Sequence, residues 1–192
     1  MSTGVSTAAH MRADLVELAR NGDREAFGRL AAGEVEHLLM IARLILRDAD
    51  LAEDAVQEAL IRCWRQLPNL RDVGRFDGWL YRILVHAAAD EAKRHRRLRS
   101  NIQVIEAEAF VDASIQLIAD REQLERGFRS LSVDQRAIVV LRHYLGLPLI
   151  EVATTLGIPS GTAKSRYHSA MSALRAALEA DARPTAGKKV VA

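Results

Sequence analysis

The chain has 192 residues, 27 Lys plus Arg against 25 Asp plus Glu, and 49% hydrophobic residues, so it carries enough apolar side chains to bury a core and is not a disordered tail. A formal charge of +2 is too small to mark the chain as a whole as a nucleic-acid binder. Only 5% of residues are aromatic and four are Pro, while Ala, Leu, Glu and Arg abound, which favours helix over strand and predicts an all-α protein.

The single cysteine, Cys63, cannot form an internal disulfide, and one thiol makes no structural zinc site without three further ligands. No apolar run approaches the ~20 residues of a membrane span. Met1 to Met11 lacks the basic start and apolar stretch of a signal peptide, so a cytoplasmic protein is expected.

Charge and composition divide the chain into an extension (1–22), a first helical domain (23–99), a linker (100–119), a second helical domain (120–180) and a disordered tail (181–192). In the first domain, Asp23 to Ala32 reads as a short helix. Glu34 to Arg47 then sets Val35, Leu38, Leu39, Ala42, Ile45 and Leu46 at helical spacing. The next helix, Leu51 to Leu67, carries Val56, Leu60, Cys63, Trp64 and Leu67 on one face and Glu53, Asp54, Gln57, Glu58 and Arg65 on the other, and stops at Pro68. Pro68 to Gly78 is rich in turn formers and reads as a loop. A long helix from about Phe76 ends in Lys93, Arg94, Arg96, Arg97 and Arg99.

Ser100 to Ala119 holds Glu106, Glu108 and Asp112 and no Lys or Arg, and its lack of a clear period predicts a flexible acidic linker. Ser132-Val-Asp-Gln135 is a capping box, followed by a predicted buried stripe of Ala137, Ile138, Leu141, Tyr144 and Leu145 that ends at Gly146.

Leu149 to Leu178 is the most informative stretch. A short helix, Leu149 to Leu156, closes at Gly157, and a second begins after Ile158-Pro159, which is helix-turn-helix spacing. Ala163, Tyr167, Ala170, Leu174 and Leu178 form the inner stripe of the second helix. Ser160, Lys164, Ser165, His168 and Ser169 then lie outside, where they can enter a major groove. Lys164 and Arg166 suit phosphate or guanine, and Ser160, Gly161 and Thr162 offer amides and hydroxyls to a phosphate. Two short helices joined by Gly also occur in many bundles, so the spacing alone leaves a structural role open.

The string IEVATTLGIPSGTAKSRYHSAMSALR resembles region four of the sigma-70 family in its extracytoplasmic-function branch, whose usual form is close to IAE-LG-P-GTVKSR-HRA---LR. DADLAEDAVQEALIRCWRQL resembles the AEDLVQE-F---W helix of region two, and FDGWLYRILVHAAADEAKRHRR its F--WLY-I--N---D--RR-RR helix. The resemblance runs over nearly all of Asp23 to Leu178.

It implies a transcription initiation factor that binds core RNA polymerase and sets region two on the minus-ten and region four on the minus-thirty-five promoter element. No catalysis, metal or cofactor is implied. The polar face of the Leu51–Leu67 helix (Asp54, Gln57, Glu58, Ile61 and Arg62) matches the surface that docks on the beta-prime clamp helices, and region four matches the unit that meets the beta flap. The loop contributes Asn69, Arg71 and Arg75, and the following helix Arg82, His86, Lys93, Arg94, Arg96 and Arg97, to the melted minus-ten strand. The Arg cluster also fits a solvated helix end favoured by the macrodipole, and Trp79 fits core packing as well as base stacking. Ser160, Thr162, Lys164, Ser165, Arg166, His168 and Ser169 are the implied minus-thirty-five contacts.

Three departures are visible. His86 stands where Asn is common, Ser169 where a basic residue is usual, and Ala163 where Val is usual. The acidic linker matches the segment that threads the polymerase channels, or is a plain tether. An anti-sigma factor is a further partner that the resemblance leaves room for. The rival reading is a stand-alone helix-turn-helix regulator, which has no need of the AEDAVQEALIRCW and WLYRI helices. Scattered histidines and a Cys63 on a buried stripe give no footing to an enzyme.

Overall fold

The computed structural model describes residues 3–100 and 125–182, and among these every regular element is helical. The linker residues Glu106, Glu108 and Asp112, like the tail beyond residue 182, lie outside the described residues. Helices α1 (Thr3–Arg20), α2 (Arg24–Leu46), α3 (Ala49–Gln66) and α4 (Phe76–Ser100) make the N-terminal domain, with 3₁₀ turns at Leu67–Asn69 and Val73–Arg75. Residues 125–130 are helical, and α5 (Val133–Val139) runs on into a single π turn, Val140–Tyr144. Helices α6 (Leu149–Leu156) and α7 (Ser160–Ala182) complete the C-terminal domain.

The first two predicted helices are one. Asp23 caps α2 by accepting from the Glu25 and Ala26 amides at 2.9 and 3.0 Å, and the helix passes through Gly33 without a break. A mid-helix Gly costs up to about 1 kcal/mol relative to Ala. Burial of Leu30 on one side of it and of Leu38, Ile41, Ala42 and Ile45 on the other outweighs that cost. Arg47, with φ at 60°, turns the chain out of α2, and Asp48 at once caps α3 through the Leu51 amide at 3.0 Å. Pro68 offers no amide and ends α3.

The stretch 1–22, set apart as an extension, holds α1, which packs on α2 and buries Val16 and Ala19 in the same core. Leu38, Ile41, Ile45, Leu67, Leu80 and Leu84 fill the centre of the N-terminal bundle. Trp79 packs against this core, its ring 6.0 Å from Phe76. Cys63 is 1% exposed there, and burial pushes its thiol up to about 12.

In the C-terminal domain the capping box forms as expected: the Gln135 amide donates to Ser132 Oγ at 3.2 Å and the Ser132 amide to Gln135 Oε1 at 2.9 Å. Ala137, Ile138 and Leu141 are buried, but Tyr144, expected on the same stripe, is 47% exposed. The π turn explains the difference. Its wider winding, closed by the Leu145 amide on the Val140 carbonyl at 3.2 Å, advances each residue less around the axis and swings Tyr144 off the stripe. Helix α7 runs to Ala182, two residues past the expected end of the domain.

Candidate polymerase and promoter surfaces

Helix α3 turns Asp54, Gln57 and Ile61 to solvent, with Glu58 and Arg62 half-buried beside them. Arg62 is a strut: its guanidinium donates to Glu58 at 2.7 Å and to Asp90 of α4 at 2.9 Å. Those two carboxylates, Glu58 first, raise its pKa above the ordinary guanidinium range. The result is a shallow hollow of about 300 Å³ between α3 and α4, lined by the five expected residues together with Asp90, Glu91 and Arg94.

The sequence reading missed Asp90 and Glu91. Glu91 is 6% exposed and takes both of its hydrogen bonds from Arg94, each at 2.6 Å. The i, i+3 spacing of Glu91 and Arg94 was the available signal. A larger, mostly apolar groove of about 470 Å³, lined by Arg24, Phe27, Leu60, Trp64 and Arg65, adjoins this hollow through Gln57 and Ile61. Here the Trp64 ring packs tilted against Phe27, their centres 5.0 Å apart.

The loop residues Asn69, Arg71 and Arg75 are all exposed. Asp72 orders the turn by accepting from the Gly74 amide at 2.9 Å, and Arg75 lies 3.4 Å from the same carboxylate. On α4, Arg82, His86, Lys93 and Arg96 are exposed and, with Arg97, fall within about 100° around an axis that turns ~100° per residue. Arg94 leaves that arc, held by Glu91 on the side of the hollow between α3 and α4. The described part of the basic cluster therefore divides between two faces.

In the C-terminal domain, Gly157 takes φ at 66° and its amide closes α6, donating to the Thr154 carbonyl at 3.2 Å. Ala163, Ala170 and Leu174 are buried on the inner stripe of α7, with Tyr167 and Leu178 half-buried. Ser160, Lys164, Ser165, His168 and Ser169 are exposed, and Thr162 and Arg166 half-exposed. Arg166 lies 3.4 Å from Asp134, Ser169 accepts from Gln135 at 3.1 Å, and Ser165 donates to the Thr162 carbonyl at 3.0 Å. Tyr167 pairs its hydroxyl with His143 at 3.0 Å and so ties α7 to the π turn. Among the described residues no group of three or more His, Cys, Asp and Glu is set to hold a metal, and no helix is long and apolar enough to cross a membrane.

Family models for Sigma-70 region 2 and Sigma-70 region 4 match residues 34–98 and 121–174, in the order in which the two sets of surfaces occur. The chain is 32% identical over 178 residues to the RNA polymerase sigma-H factor of Pseudomonas aeruginosa, covering 86% of this chain and 92% of that one. The chain belongs to the extracytoplasmic-function branch of the sigma-70 family.

This sigma factor is also 33% identical over 175 residues to the sigma-E factor of Escherichia coli, covering 83% and 90% of the two chains. To the SigL factor of Mycobacterium tuberculosis it is 33% identical over 152 residues, covering 75% and 85%. Among solved structures, it matches CnrH in complex with the cytosolic domain of CnrY at a TM-score of 0.62 and 26% identity, over 89% of this chain and 99% of that one. It matches the sigma factor RpoE bound to the anti-sigma factor NepR, from Bartonella quintana, at 0.63 and 25%, over 81% and 98%. Its function is that of an RNA polymerase sigma factor, directing promoter-specific initiation of transcription through core polymerase and promoter DNA.

Proposed function

We propose a division of that work among the surfaces, with domain boundaries close to 23–99 and 120–180. The α3 hollow (Asp54, Gln57, Glu58, Ile61 and Arg62) docks on the beta-prime clamp helices of core polymerase, and the C-terminal domain meets the beta flap. Asn69, Arg71 and Arg75 with Arg82, His86, Lys93, Arg96 and Arg97 hold the melted minus-ten strand. Arg94, turned toward α3, serves the polymerase side. Ser160, Thr162, Lys164, Ser165, Arg166, His168 and Ser169 read the minus-thirty-five duplex.

The supporting observation is the composition of the hollow: an Ile61 that is 38% exposed, ringed by Asp54, Gln57, Glu58 and the Arg62–Asp90 strut. An apolar contact inside a rim of fixed charges buries surface and sets register together. The protein catalyses nothing itself and works in the cytoplasm, where the polymerase is. An anti-sigma factor is a further partner, by analogy with the RpoE–NepR pair.

The test is a titration of core polymerase with the full chain. Asp54→Arg and Gln57→Ala weaken binding, while circular dichroism and the thermal midpoint stay at wild-type values. Unchanged affinity in both variants would overturn the assignment of this face.

A further inference from the structure

Helix α1 is more than cover for the N-terminal core. It precedes the 34–98 stretch that the region 2 family model matches, yet it packs on both 3₁₀ turns of the Leu67–Arg75 loop as well as on α2. Arg12, Val16 and Arg20 follow one another at four-residue intervals and therefore stand in one row on the helix. Val16 is buried. The two arginines flank it, ~12 Å apart along an axis that rises ~1.5 Å per residue.

Each arginine meets one end of the loop. Arg20 Nη1 donates to the Leu70 carbonyl at 3.2 Å, while its Nη2 is held by Glu17 one turn back. Leu70 is 7% exposed, so its carbonyl has little water to turn to. At the other end, Arg12 Nη2 lies 2.6 Å from Asp77 in the first turn of α4 and 2.6 Å from Glu34 of α2, and its guanidinium sits 5.9 Å from the centre of the Phe76 ring. Exposed ion pairs are individually weak. Here a single cation joins α1, α2 and α4 at the point where the loop runs into α4.

Between these contacts the loop alternates anchored and exposed side chains. Leu67, Leu70 and Phe76 are buried and Val73 packs on the core, while Asn69, Arg71 and Arg75 are exposed. The loop's internal hydrogen bonds are local: the Leu70 amide to the Leu67 carbonyl at 3.0 Å, the Gly74 amide to Asp72 Oδ1 at 2.9 Å, and the Arg75 amide to the Asp72 carbonyl at 3.1 Å. Those bonds shape the two turns without fixing where they sit on the bundle. Arg20 supplies a bond that does. Ordering the backbone of even one residue is worth about five- to thirtyfold in an equilibrium, so a loop set in advance binds its target correspondingly more tightly than one ordered on contact.

We propose that α1 positions the base-capturing loop: Arg20 on the Leu70 carbonyl and Arg12 on Asp77 set Asn69, Arg71 and Arg75 in place before the melted minus-ten strand arrives. This rests on the assignment of those three residues to that strand. Arg12 and Arg20 act through the loop and touch no DNA themselves. Polymerase docking, which uses the hollow between α3 and α4, does not depend on them.

The experiment is equilibrium binding by reconstituted holoenzyme of a forked DNA that carries the minus-ten motif recovered by run-off sequencing, with each base of its single-stranded part varied in turn. Arg20→Ala weakens binding about five- to thirtyfold and flattens the preference among bases. Arg12→Ala does the same to a smaller extent, and Arg20→Lys, which keeps a donor for one carbonyl, restores most of the loss. Affinity for core polymerase stays at the wild-type value in all three. Added to Asn69→Ala with Arg71→Ala, Arg20→Ala costs much less than it does alone, because little is left for it to position. Where Arg20→Ala does not fold, Arg20→Gln and Arg12→Ala carry the same comparison.

A DNA affinity unchanged in both Arg20→Ala and Arg12→Ala, with Asn69→Ala or Arg71→Ala still weakening it, overturns the positioning role and leaves the loop assignment standing. If Asn69→Ala, Arg71→Ala and Arg75→Ala change nothing either, the loop assignment is what fails, and the positioning role falls with it. A smaller active fraction at unchanged Kd, an unchanged base preference, or full additivity with the loop variants makes Arg20 a support of the fold alone and equally overturns the proposal.

Discussion

The N-terminal helices share one large buried cluster, which Ala137, Ile138, Val140, Leu141 and Val152 also join, whereas a second, smaller cluster among the described residues, Leu131, Val139, Ala170 and Leu174, lies wholly within the C-terminal domain. Of the buried side chains of α5 and α6, Ala137, Ile138 and Val152 fall in the cluster shared with the N-terminal helices. This difference suits the two tasks. Under the division of work proposed above, a platform for polymerase and the melted strand has to be rigid by itself, while a reader of a distant element has to leave its neighbour.

The contrast can be broken by mutation, and the two tryptophans, Trp64 and Trp79, both lie on the N-terminal side and report on that domain alone. Ile41→Ala, at a fully buried site in α2, costs ~2–5 kcal/mol. It lowers the urea midpoint read by tryptophan fluorescence and carries the C-terminal domain with it. Leu174→Ala opens the small C-terminal core at a cost of ~2–3 kcal/mol. Hydrogen exchange speeds up in α5 and α7, and the tryptophan midpoint stays in place; an equal shift of that midpoint would erase the distinction between the domains.

Smaller effects sharpen it. Cys63 binds its proton more tightly folded than unfolded, its pKa rising from 9.0 to about 12. Its contribution is complete below pH 9 and is lost as the pH rises toward 12. Comparing urea midpoints at pH 8 and pH 10.5 for the wild type and Cys63→Ala isolates on the order of 1–2 kcal/mol, with the wild type showing the larger fall. Ser132→Ala removes the capping box and costs ~1 kcal/mol, seen as faster exchange in the first turn of α5 and not in α1 to α4.

Local chemistry made much of this molecule legible. Gly157 and Pro159 mark the helix-turn-helix, Ser132 and Gln135 mark the start of α5, and Pro68 marks the end of α3, because each depends on residues only a few positions apart. The reading went astray where a local signal was overruled. The helix expected to end at Ala32 and the one expected from Glu34 are continuous through Gly33, because the burial on either side outweighs the cost of a mid-helix glycine. Tyr144 fell off its stripe because a π turn leaves no mark in a period counted at 3.6 residues. Of the hollow between α3 and α4, the α3 side was readable from one helix face, but Asp90 and Glu91 join it only through the packing of α4 on α3. The bond from Arg136 to the Ile45 carbonyl spans 91 positions and involves a backbone acceptor, so no sequence pattern announces it.

The central claim is that these surfaces together select promoters, and run-off sequencing of fragmented genomic DNA with reconstituted holoenzyme tests it most directly. The account predicts discrete start sites sharing two upstream motifs, absent with core polymerase alone and lost with Asp54→Arg. Initiation no more selective than that of core alone, or undiminished by Asp54→Arg, would contradict it.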